Sequence, residues 1–112
     1  MLLALLQAPA PTSIVSRDDQ LAGEWRCLTA CRAGRVLTFA LTDGVRRYDA
    51  RVGGVTETAD ARWTLDGPRL TITREGATVL RARVVRLTRA ILELEIDDGR
   101  EVPIYKRVEK KD

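Results

Sequence analysis

Two cysteines, two tryptophans, two tyrosines and a scatter of arginines are the side chains of this sequence with chemistry to offer. Their spacing narrows what that chemistry is. Histidine is absent, which removes the commonest general base and the commonest metal ligand together. The only serines, Ser13 and Ser16, have no imidazole to activate them, and neither a Gly-x-Ser-x-Gly elbow nor a phosphate-cradling glycine loop occurs. The acidic pairs Asp18-Asp19 and Asp97-Asp98 stand in turn-like or linker-like contexts, where solvated carboxylates are the ordinary outcome. The chain is therefore read as a non-enzyme, with no catalytic residue, no metal site and no cofactor.

Cys27 and Cys31 stand in a Cys-x3-Cys spacing. Two thiolates without histidine do not complete a tetrahedral zinc site, and the redox Cys-x-x-Cys spacing is not met. Two readings remain open: a disulfide closing a short loop in an exported protein, or a small core residue beside a loop thiol in a cytoplasmic one. Arginine supplies sixteen of the nineteen basic residues and asparagine is missing, a composition that matches the codon bias of a GC-rich bacterial genome. The net charge of +3 is mild, because sixteen acidic residues are interspersed with the basic ones. Nucleic-acid binding needs a concentrated basic stripe and is not expected. Arg46, Arg47, Arg51, Arg81, Arg83, Arg86 and Arg89 are read first as a solvated outer face paired with Asp49, Glu57, Glu93 and Glu95, and second as an anion-docking patch.

The elements that must carry these residues are strands. From Leu21 onward the dominant period is two, with turn signals every eight to twelve residues. Eight strands are expected at 23–28, 35–42, 45–52, 59–65, 69–74, 78–87, 91–96 and 101–108, separated by turns such as Asp43-Gly44 and Glu75-Gly76. One face of each is apolar. The inward set comprises Trp25 and Cys27; Leu37, Phe39 and Leu41; Tyr48, Ala50 and Val52; Ala61, Trp63 and Leu65; Leu70 and Ile72; Leu80, Ala82 and Val84; Leu92, Leu94 and Ile96; and Val102 with Ile104. At Val84-Val85-Arg86-Leu87 the alternation breaks, which predicts a bulge. Hairpin-linked strands with one dry face close most economically into an all-β, eight-stranded antiparallel up-and-down barrel, since closure removes both unpaired edges. First and last strands then become neighbours, and Arg107 can lay its guanidinium on Trp25 as the closure of the barrel.

The barrel is assigned to 21–109 as one domain, with a short N-terminal segment outside it. Residues 1–10 read as an apolar h-region ending in Ala8-Pro9-Ala10, a signal-peptide remnant that lacks a basic n-region and is too short to span a bilayer. Residues 11–20 read as a linker or arm, whose Asp18-to-Ala22 portion has the makings of one helical turn closing an end of the barrel. A periplasmic or secreted location is expected, with a cytoplasmic one as the alternative.

These residues resemble a known pattern. Gly23-Glu24-Trp25 resembles the first-strand Gly-x-Trp of the lipocalin and calycin group, and Tyr105-Lys106-Arg107 resembles its closing strand, whose arginine packs on that tryptophan. The order of Leu37-Thr38-Phe39, Asp43-Gly44, the Trp63 strand with Asp66-Gly67-Pro68, Leu70-Thr71-Ile72, Ile91-Leu92-Glu93-Leu94 and Asp98-Gly99 is similar to that of small bacterial lipocalin-like domains of largely unknown function. The similarity covers nearly everything after Leu21, with shorter strands and no long first loop to serve as a lid. It implies a monomeric binding protein for a small apolar or amphipathic ligand. Trp63 and Tyr48, both expected to point inward, are read first as core filling and second, with Phe39 and Leu94, as the walls of a narrow mouth for that ligand. The alternative is a filled barrel that docks a protein partner through its N-terminal arm or loops, as small inhibitor barrels do.

Overall fold

A computed structural model describes residues 17–96 and 98–109. The signal-like stretch 1–10 and residues 11–16 of the arm lie outside the described residues. One short helix, α1 (Arg17–Leu21), precedes eight strands: β1 (Gly23–Thr29), β2 (Arg35–Thr42), β3 (Val45–Val52), β4 (Val55–Asp66), β5 (Arg69–Arg74), β6 (Ala77–Leu87), β7 (Ile91–Ile96) and β8 (Ile104–Arg107). Each strand pairs antiparallel with its neighbours in sequence, and β1 pairs with β8, so the sheet is a closed up-and-down barrel.

Local chemistry sets the corners. At Asp43-Gly44 both residues have positive φ, 53° and 77°, the backbone of a type I′ turn whose twist matches that of the flanking strands. Such a two-residue turn fixes the register of β2 on β3, from Thr42 opposite Val45 to Arg35 opposite Val52. The alternation of each strand then decides what is buried: Leu37 and Phe39, Tyr48 and Ala50, Ala61 and Trp63, Leu70 and Ile72, Ala82 and Val84, and Leu92 and Leu94 all enter one continuous core. The expected bulge in β6 is present, with the register shifting between Val84 and Arg86 and Leu87 returning to the core side.

Two expectations are corrected. Strand β4 begins at Val55 rather than at Ala59, because Val55, Thr56 and Thr58 pair with Val52, Arg51 and Ala50 at the rim of the barrel. The last strand is shorter than expected, starting at Ile104, with Glu101 held only by a bridge to Ile96. Tyr105 within it and Pro103 just before it face inward, not Val102 and Ile104. The cause is the pairing with its neighbours. Tyr105 stands opposite Leu92 on β7 and Cys27 on β1, and Arg107 stands opposite Trp25, so odd-numbered positions of β8 share the face of those core residues.

Because strands alternate in direction, the two ends of the barrel are distinct. One, the closed end, gathers α1, the 43–44 and 67–68 turns and the 88–90 connection. The other, the open end, gathers the 30–34 loop, the Gly53-Gly54 and Glu75-Gly76 turns and the β7–β8 connection.

Candidate ligand cavity at the open end of the barrel

The closed end is held together by Trp25 and Arg107. Leu21 of α1 is completely buried, and its carbonyl accepts a 2.9 Å hydrogen bond from the Trp25 indole Nε1. The Arg107 guanidinium lies 4.2 Å above the Trp25 ring. From there its Nη1 donates to the Ala22 carbonyl at 2.9 Å, its Nε to the Arg89 carbonyl at 2.7 Å, and its Nη2 to the Gln20 carbonyl. Burial lowers the Arg107 pKa from its ordinary value, while these three carbonyls match the guanidinium fork. Gly23 is part of the same device. A Cβ built on it falls 2.5 Å from the Arg107 Nη1, and its φ of 135° disfavours any side chain. The glycine of Gly23-Glu24-Trp25 thus leaves room for the guanidinium of the last strand where it lies on Trp25.

Trp63 and Phe39, expected as ligand walls, belong to this sealed half. The Trp63 ring is fully buried, its Nε1 donates to the Ala40 carbonyl at 3.1 Å, and Arg46 lies 5.7 Å from its centroid. Arg46 in turn holds α1 through Asp18 at 2.6 Å. Phe39 meets Trp63 edge-on at 5.7 Å between centroids and packs on Tyr48 at 5.2 Å. The polar handle of Trp63 is already satisfied, and both rings act as packing beneath the site.

Tyr48 and Leu94, the other two expected wall residues, do line a cavity of about 410 Å³ that opens at the other end. Leu37, Ala50, Leu80 and Ile96 contribute apolar lining, and Arg35, Glu57, Thr58, Glu101 and Tyr105 supply polar groups. Two bulges make this possible. Consecutive strand residues ordinarily face opposite sides, yet Glu57 and Thr58 both line the cavity, as do Val79 and Leu80. The register steps from Ala50 opposite Thr58 to Arg51 opposite Thr56, leaving Glu57 as the extra residue, and from Ile72 opposite Leu80 to Thr73 opposite Thr78, leaving Val79. A bulge re-aims a side chain in this way. The turned Glu57 carboxylate receives Arg35 in a two-pronged pair, Nε at 3.0 Å and Nη2 at 2.9 Å, with Arg32 adding a longer contact at 3.4 Å.

Electrostatics at the rim follow from burial and this pair. Hydrogen bonding to Glu57 raises the Arg35 pKa against the effect of its own desolvation. Burial raises the Tyr48 pKa, and the neighbouring Tyr105 adds to it. Tyr105 is raised too, chiefly by burial, although Arg35 beside its phenol opposes the shift. Both phenols are therefore neutral donors and acceptors at physiological pH.

The ladder between β6 and β7 starts only at Ala82 opposite Ile96, so residues 77–81 run past the end of β7. Through that notch the cavity meets a second hollow of about 750 Å³ on the outer side, lined by Arg69, Arg81 and Arg83 as well as by Val79, Leu80, Ile96 and Glu101, which both spaces share. Of the arginines expected on an outer face, Arg46, Arg51, Arg83 and Arg86 pair with Asp18, Glu24, Glu95 and Glu93. Cys27 and Cys31 form a disulfide at the end of β1, with 5.9 Å between their Cα atoms. Among the described residues no cluster of acidic, cysteine or histidine side chains could hold a metal ion, and no helix is long and apolar enough to cross a membrane.

Arg35, Glu57 and Tyr105 are site residues that the strand pattern alone did not reveal. Tyr105 was accessible from its parity with Arg107, since a residue two positions before the one that caps Trp25 must face inward as well. Arg35 shares the parity of Leu37. Nothing in Thr56-Glu57-Thr58 announces a bulge. Comparison with protein-family models, with curated proteins and with solved structures finds no match.

Proposed function

We propose that the protein is a non-enzymatic, lipocalin-like binding protein that takes a small amphipathic molecule into the cavity at the open end. The observation that carries this reading is the cavity of about 410 Å³ at the open end, lined by aliphatic and polar side chains together, in a barrel whose other end is covered by α1, Trp25 and Arg107. That volume lies within the range of about 300–1,000 Å³ usual for small-ligand sites. An apolar chain would rest against Val79, Leu80 and Ile96, above the buried floor of Leu37, Ala50 and Leu94, with its head among the phenols and charges of the rim. The Cys27 to Cys31 disulfide supports a periplasmic or secreted setting, where such bonds persist. Residues 17–21 do not support the alternative of a free docking arm, because α1 is fastened to the barrel by buried Leu21 and by the ion pair of Asp18 with Arg46.

The test is a titration with N-phenylnaphthylamine, a neutral dye that brightens in apolar surroundings. Saturable brightening is expected with the native protein, and Ala50→Phe, which places a ring inside the cavity, should weaken it at least tenfold, about 1.4 kcal/mol. No brightening, or equal affinity in the variant, contradicts the proposal.

A further inference from the structure

From the charges at the mouth we infer that the ligand carries a hydrogen-bond-donating head, an alcohol or an amine, and that the site rejects fatty acids. This inference rests on the proposed binding role and specifies its chemistry. The cavity has one cationic side chain in its lining, Arg35, against two carboxylates, Glu57 and Glu101. Glu57 moreover takes up the fork of Arg35, Nε and Nη2 at 3.0 and 2.9 Å, and is itself shared with Arg32 at 3.4 Å. A ligand carboxylate entering here would have to share that guanidinium with Glu57 and face Glu101 as well. Within this cavity it would lose its hydration without gaining a free counter-charge, since Arg69, Arg81 and Arg83 line the outer hollow beyond the notch instead, and that is the costly way to bury an anion. A hydroxyl or ammonium head meets the opposite situation. Glu57 and Glu101 are acceptors only, and the phenols of Tyr48 and Tyr105 can accept as well as donate. The bulge that turns Glu57 into the lining is therefore the specificity device, since it converts an arginine that would attract fatty acids into half of a closed pair.

The experiment is competition against bound N-phenylnaphthylamine by three chains of equal length, octylamine, octanol and octanoate, at pH 7 and low salt. Octylamine and octanol should displace the dye, octylamine at the lower concentration, and octanoate should need at least tenfold more. Glu57→Gln, on an accessible rim strand, frees Arg35 and should improve octanoate at least tenfold while weakening octylamine, with an unchanged circular dichroism spectrum confirming the fold. Octanoate competing as well as octanol on the native protein, or showing no gain in Glu57→Gln, overturns the inference and leaves the binding role standing. Failure of the dye to bind at all removes both.

Discussion

The two ends of this barrel are finished in opposite ways. At the closed end, each polar atom of the Trp25 and Arg107 pair is matched to a backbone carbonyl, those of Leu21, Ala22, Gln20 and Arg89, none of which depends on a rotamer. At the open end, Arg35 and Glu57 are matched to one another, side chain to side chain, at the rim of a space of about 410 Å³ that Tyr105 also lines. The difference separates two tasks. A guanidinium clamped by carbonyls joins the first strand to the last and fixes the fold, whereas a rim of mutually paired side chains can exchange partners with a ligand without unfastening a strand.

Substitutions that break one end should therefore read out differently from those that break the other. The largest effect is expected for Trp25→Ala, which empties a fully buried indole site and removes the platform under Arg107; urea unfolding should show a loss of about 3–5 kcal/mol. Arg107→Lys keeps the charge but loses the fork that reaches three carbonyls, and a loss of about 2 kcal/mol is expected in the same assay. Neither end should substitute for the other: Ala50→Phe, which pushes a ring from a buried wall position into the cavity, should cost about 1–3 kcal/mol, less than Trp25→Ala, while dye binding is lost.

Alkaline pH distinguishes the ends by a different route. Both tyrosines of the chain line the open end, and both have pKa values raised above the ordinary value by burial. Below about pH 10 the phenols are protonated in folded and unfolded chains alike, and their contribution is complete. Above it the unfolded chain releases protons that the folded chain keeps, so stability falls as pH rises, by at most about 1.4 kcal/mol per pH unit for each tyrosine. Tyr48→Phe should remove its share of that slope between pH 10 and 11, which unfolding measured at both values will show. The smallest effect is expected for Asp18→Asn. Its ion pair with Arg46 is partly exposed, and about 0.5 kcal/mol should be lost.

How much of this was legible in the sequence depends on which interactions set each segment. Strands β2, β3, β5 and β7 have the bounds expected from alternation between turn-forming residues, because each is short, regular and flanked by a tight turn. The rim resisted the same reading. Residues 55–58 are strand only because β3 extends far enough to pair with them, a tertiary fact that no local propensity records. In β8, Val102 and Ile104 offered the more apolar face, yet the ladder with β1 and β7 brought Pro103 and Tyr105 inside. The residues that close the barrel could be found because first and last strands must meet in any closed meander. The mouth could not be found in full, since Glu57 and Val79 reach it through bulges, where one inserted residue overrides the period of two. Trp63 shows the converse: the most ligand-like side chain by type is held in the sealed half by the Ala40 carbonyl.

The two indole N–H groups make the most direct test available, because both lie in the sealed half, bonded to the carbonyls of Leu21 and Ala40. In a ¹H–¹⁵N NMR titration with octanol, the amides of Ala50, Leu80, Leu94 and Tyr105 should shift along a saturable curve while both indole signals stay in place. Shifts at the Trp25 or Trp63 indoles with the open-end amides unmoved would contradict the division of the barrel into a sealed end and a binding end.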